Sequence, residues 1–208
     1  MNALVRSPRV LGSVAVACFG LGLGLAMLPR SAPHAVDFVP PAEDVCIVPP
    51  ARVAPAMPWN PDSGLPIHAA RPVPAEVRCP VCGMYPARHP QWAAQIIFAD
   101  GAAHFFDSPV GLFIFLEDTE RYDPERKADT VAALYVTDFA AGGWIPAREA
   151  RFVIDSAARG PMRVANLPAF AGVEAAAAFA RANGGEVIGF ADITPERIAA
   201  LRAVNHAD

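Results

Sequence analysis

The chain has 208 residues, a formal net charge of −4 and a pI near 5.7. That balance offers no electrostatic footprint for a nucleic acid, and four cysteines are too few to staple a chain of this length. One ordinary domain with extensions fits the length.

Residues 1–30 read as a membrane anchor or signal segment. Val10 to Leu28 is a run of 19 residues without a charge, preceded by Arg6 and Arg9 and followed by Arg30. At about 1.5 Å per residue it just spans a ~30 Å hydrocarbon core. The leading arginines favour a cytoplasmic N-terminus, which leaves the rest of the chain beyond the membrane. A retained anchor is the leading expectation. Ala15-Val16-Ala17-Cys18 resembles a lipoprotein box in which Cys18 would be acylated, but the following residues stay apolar. A cleaved signal that frees the domain beyond the membrane is the third outcome, and no A-x-A-like exit stands near Ala32 or Ala35.

Residues 31–76 read as a proline-rich extended tether. Of 22 prolines, 15 fall between Pro29 and Pro90, and proline removes an amide donor while biasing its predecessor away from helix. Cys46, Met57 and His68 lie in this segment and are expected to be linker residues without a role. Cys46 is the exception, because a lone thiol outside the cytoplasm tends to oxidise or pair.

The domain is expected over residues 77–208. Trp92–Phe98 reads as a strand, Asp100-Gly101 as a hairpin turn and Ala103–Phe106 as the returning strand. Asp107 and Ser108 are cap residues for a helix that starts at Pro109 and is apolar nearly all round, hence buried. Val131–Val136 follows as a third strand. The second half repeats the order: strand Arg151–Ser156, turn 158–160, strand Pro161–Leu167, helix Phe170–Ala182, strand Glu186–Phe190. A last helix is capped by Thr194. The fold class is therefore α+β, with tandem ββαβ units over about 91–138 and 151–192 in one domain.

Chemistry concentrates in Cys79-Pro80-Val81-Cys82-Gly83-Met84, where two thiols and a thioether fall within six residues. A Cys-x-x-Cys redox dithiol normally follows a strand and opens a helix, whereas this one follows proline-rich tether. A structural zinc site wants four N or S ligands, and no second Cys-x-x-Cys exists to match. A plain disulfide across two residues would close a tight, strained loop. A soft-metal site suits the residues better, since Cu(I) favours thiolate and thioether and asks little of geometry. Cys82 and Met84 are close enough to share one ion. Met162 and His104 are candidates to complete the site, and Cys79 is an alternative thiolate. No Ser–His–acid arrangement or phosphate-cradling glycine loop is present, so nothing points to substrate turnover.

These residues carry a resemblance. Cys79-x-x-Cys82-Gly83-Met84, Phe105-Phe106-Asp107-Ser108, Leu134-Tyr135-Val136-Thr137-Asp138, Gly160-Pro161-Met162 leading to Leu167-Pro168-Ala169-Phe170, and Ala178-Phe179-Ala180 through Asn183-Gly184-Gly185-Glu186-Val187 follow in order. Over roughly 79–200 the chain resembles the NosL family of copper chaperones. The resemblance implies a membrane-tethered, extracytoplasmic Cu(I) carrier for apo nitrous oxide reductase, working with a membrane transporter complex. It implies that Cys82 and Met84 belong to the family's Cys-Gly-Met segment and that Met162 is its second methionine. Two departures stand out: Arg163 where the family usually has glycine, and Phe106 where many members carry cysteine. Asp107 is expected to cap the helix rather than to act as a base.

Overall fold

Strand β1, Ala94–Phe98, is buried at all five positions, so both of its faces must be covered. In the computed structural model, which describes residues 55–204, two different parts of the chain do this. Ala94, Ile96 and Phe98 face the main core, while Ile97 joins a smaller cluster with Ala103 and Phe105 on the opposite face. Cys18, Cys46 and the expected membrane segment lie outside the described residues. Among the described residues, no helix is long and apolar enough to cross a membrane.

β1 pairs antiparallel with β2, Ala103–Phe106, and with β3, Val131–Thr137. A short β4, Trp144–Pro146, was not expected from the sequence and extends this sheet to the order β2-β1-β3-β4. Between β2 and β3 run α1, Pro109–Glu117, and a single turn of helix, α2, Thr119–Tyr122. Proline at its first position preorganises α1. Leu112, Phe113 and Phe115 are buried, as an all-round apolar helix requires. Each fully buried phenylalanine contributes about 2–3 kcal/mol of transfer free energy.

The second sheet has the order β6-β5-β7, built from β5, Arg151–Ile154, β6, Ala169–Phe170, and β7, Glu186–Gly189. Helix α3, Val173–Asn183, connects β6 to β7, and α4, Pro195–Val204, closes the described chain. In both units the first strand is central, the second flanks one side and the strand after the helix flanks the other. The two sheets therefore share one strand arrangement.

One expected strand is absent. Pro161–Leu167 forms a turn closed by Arg163 N–H to Gly160 O and Gly160 N–H to Val164 O, at 2.8 and 2.9 Å. The second strand of this unit comes after Pro168 instead. Arg163 sits at φ +61°, a left-handed conformation outside the extended region that a strand requires. The two units share one core, in which Phe113 of α1 lies 5.7 Å from Phe152 of β5, ring centre to ring centre.

The tether differs most from expectation. From residue 55 onward it packs on the second face of the first sheet, while residues 31–54 lie outside the described residues. Met57 bridges Ala103 through two 2.8 Å backbone bonds and so covers the outer edge of β2. The fully buried Gln95 side chain accepts from the Arg71 amide and donates to the Arg71 carbonyl, both at 3.1 Å. At Gly101, a Cβ would stand 2.6 Å from Ile67 and 2.7 Å from Trp59, so the hairpin turn has no room for a side chain under the tether. Met57, Val73 and Val77 then pack against Ile97 and Phe105.

Candidate metal centre

The Cys79–Met84 loop is closed on itself by backbone bonds. The Cys79 amide donates to the Met84 carbonyl at 2.8 Å, and the Gly83 amide to the Cys79 carbonyl at 2.9 Å. This fold-back requires φ +75° at Gly83, a region that a Cβ disfavours by backbone sterics alone. Open space surrounds that position. The loop anchors through Cys79 and Val81, 1% and 7% exposed, which belong to the main core. Cys82 and Met84 are half-buried.

The loop lies on the start of α1. Ser108 is the N-cap and accepts from the Gly111 amide at 3.4 Å. A Cβ on Gly111 would lie 3.6 Å from Cys79 Sγ, 3.7 Å from Phe106 and 3.8 Å from Asp107 Oδ1. Asp107, 2% exposed, therefore does not cap the helix, because Ser108 takes that role and frees its carboxylate. Cys82 Sγ donates to Asp107 Oδ1 at 3.1 Å. Donor atoms of Cys79, Cys82 and Asp107 all lie within 4.8 Å of one another, close enough to meet on one ion.

The Cys82 thiol is held far above the ordinary thiol range. The hydrogen bond shared with Cys79 contributes most, followed by burial and repulsion from Cys79 and Asp107, while the Met84 backbone acts in the opposite direction. Capture of a soft cation there must release a proton, since the thiolate is the ligand.

Asp107 is the residue that sequence reasoning missed as part of this cluster. Its signal was the pair Asp107-Ser108 ahead of Pro109: a helix has one N-cap, so one of two adjacent cap-competent side chains is left for other work. His104 lies elsewhere. It is 3% exposed, its Nε2 is 2.7 Å from Asp123 Oδ2, and its ring packs against Phe115 at 5.2 Å. Met162 is 49% exposed on the turn before β6, and Arg163 beside it keeps the left-handed conformation that glycine would favour. Phe106 is fully buried against Phe115, at 5.4 Å between ring centres.

A family model described as NosL matches residues 71–198. The chain belongs to the NosL family. The copper-binding lipoprotein NosL of Achromobacter cycloclastes is 35% identical over 125 residues, which cover 54% of this chain and 61% of that relative. The crystal structure of the copper chaperone NosL from Shewanella denitrificans is 26% identical, covering 63% of this chain and 99% of that one with a TM-score of 0.52. The mixed helix-and-sheet fold is thus that of the NosL family. A solution structure of apo-NosL from Achromobacter cycloclastes, 32% identical, covers 50% of this chain and 87% of that one with a TM-score of 0.39.

Proposed function

We propose that this chain is a Cu(I) carrier, tethered to the periplasmic face of the inner membrane, that delivers copper to apo nitrous oxide reductase alongside a membrane transporter complex. One observation carries the reading: in a NosL-family chain, Cys79, Cys82 and Asp107 present donor atoms within 4.8 Å of one another. The names of two relatives, a copper-binding lipoprotein and a copper chaperone, support it.

In this reading the two thiolates hold the ion, as soft ligands suit Cu(I), and Met84 adds a thioether from the same loop. Asp107 orients the Cys82 sulfur. Met162, on its exposed turn, supplies a further thioether. His104 stays with Asp123. The tether is held in the membrane by the apolar segment or by an acylated Cys18.

A thiol–disulfide oxidoreductase is the competing reading, favoured by the position of Cys79 Sγ over the first turn of α1, where a helix dipole assists a thiolate. A structural zinc module is the other. The test is anaerobic Cu(I) titration of the reduced, full-length chain in detergent against a chromogenic chelator. The variants are Cys79→Ser, Cys82→Ser, Met84→Leu and Met162→Leu. A carrier loses affinity with either thiol and with Met84. If neither methionine matters, or if Zn(II) displaces Cu(I), the carrier reading fails.

A further inference from the structure

Two arginines flank the thiol loop without an acidic partner among the described residues. The Arg78 guanidinium carbon lies 4.3 Å from the centre of the Tyr85 ring, and that of Arg88 lies 4.5 Å from the same centre. Arg78 also donates to the Gly83 carbonyl at 3.1 Å and to the Tyr85 hydroxyl. Both arginines are exposed. The ion pairs at His104, Arg126 and Arg197 involve neither arginine. No Asp or Glu occurs between Glu76 and Asp100, in a chain of net charge −4. Asp100, next along, is engaged by Arg126 at 2.6 Å.

Two cations that each lie within 4.5 Å of one ring centre can be no more than about 9 Å apart. That is inside a Debye length of roughly 8–10 Å, so they repel. Stacking on Tyr85 holds each against that repulsion, at about 0.5–1 kcal/mol per exposed cation–π contact. The result is a pair of exposed guanidiniums held on one ring, a charge pair suited to carboxylates. The Arg78–Gly83 bond ties the pair to the loop, so whatever sits on the arginines sits at the edge where copper ligands exchange.

We propose that Arg78 and Arg88, stacked on Tyr85, seat a carboxylate-bearing face of the protein that exchanges copper with the Cys79–Met84 loop. This rests on the carrier reading above. The occupant is a protein rather than a lipid surface, because the seat adjoins the ligand-exchange edge. The arginines serve docking rate, as charges at the rim of an interface do.

The test measures Cu(I) transfer from the full-length chain in neutral detergent to apo nitrous oxide reductase, as initial rates across ionic strength. Arg88 is the residue to change, because its guanidinium rests on Tyr85 without a bond to the loop. Arg88→Gln should slow transfer about 3-fold and Arg88→Glu about 10-fold at low salt, with the difference gone near about 0.5 M. Chelator-measured Cu(I) affinity should stay within about 2-fold, because an exposed guanidinium that donates no bond to the loop is screened by solvent.

Equal transfer rates for all three proteins overturn the proposal. So does a fall in copper affinity that matches the loss of rate, which makes Arg88 a counter-charge for the bound ion. Weaker flotation of Arg88→Glu with phosphatidylglycerol vesicles, at unchanged transfer rate, overturns it in favour of a membrane contact. A wild-type protein that transfers no copper overturns the carrier reading and this proposal together.

Discussion

The Cys82 thiol donates to the Asp107 carboxylate across 3.1 Å, and the acceptor is 2% exposed at the foot of α1. A carboxylate so placed fixes the direction of the sulfur before any metal arrives. Groups that orient a ligand are worth about 10–100-fold in metal affinity. Asp107→Asn, which keeps the shape and removes the charge, should weaken Cu(I) binding about 10-fold in chelator competition. Wild-type affinity in that variant would make Asp107 a bystander.

Gly83 makes the loop possible through its backbone alone. Its φ is +75° and nothing stands within 4 Å of a Cβ built there, so Gly83→Ala incurs strain without a clash, about 1 kcal/mol. Gly83→Asn should cost less, because asparagine tolerates the left-handed region. Chemical denaturation should rank stability as glycine, asparagine, alanine, and Cu(I) affinity should follow that order.

Arg163 reverses this argument. It holds φ +61° with a Cβ in place, beside the exposed Met162. Arg163→Gly should raise stability by up to about 1 kcal/mol, since the strain relieved is partly offset by the added freedom of the unfolded chain. An unchanged or lower denaturation midpoint would show that the turn carries no such strain.

The periodic elements were legible because their signals are local. β2 returns from the Asp100-Gly101 turn over the expected residues, and α1 starts at Pro109 behind its cap. Pro161–Leu167 misled because its apolar residues imitate a strand, while the turn depends on Arg163 adopting a conformation that propensity argues against. The cluster was half legible. Cys79 and Cys82 lie together in sequence, but Asp107 joins them only because β1 and β2 bring residue 107 back beneath the loop. The tether was least legible: proline content predicts extended backbone, and extended backbone serves a spacer or a sheet cover equally. Gln95, a polar residue inside an apolar strand, was the one sign that something pairs with that face.

The buried pair of His104 and Asp123, 2.7 Å apart, sets an acid limit to stability. Burial pushes the Asp123 carboxyl up. Hydrogen bonds from His104 and the Glu125 amide, with attraction from His104 and Arg126, outweigh burial and hold it below the ordinary value. A depressed folded value means stability present above the unfolded carboxyl value, about 3.9, and lost as pH falls through the folded one. Unfolding free energy should therefore fall below about pH 4, and Asp123→Asn should flatten that fall while lowering stability near neutrality by about 1–3 kcal/mol. Denaturation of both proteins between pH 3 and 7 reads the difference.

Gln95 holds the tether on the sheet, and its loss should free that cover. Its amide meets both backbone groups of Arg71 at 3.1 Å, as a neighbouring strand would. Gln95→Leu preserves the volume of a fully buried side chain but leaves an amide and a carbonyl without partners, each costing about 1–3 kcal/mol if they remain buried. The segment around Arg71 relieves that cost by lifting toward water, which uncovers Ile97 and Phe105. The expected result is a loss of about 2 kcal/mol in denaturation, with faster hydrogen exchange at the Arg71 amide and at Met57, which bridges Ala103 farther along the same face. If Arg71 exchanges faster while Met57 keeps its protection, the Gln95 bonds act locally and the edge bridge holds by itself. If neither amide changes, apolar packing of Met57, Val73 and Val77 is what fixes the tether.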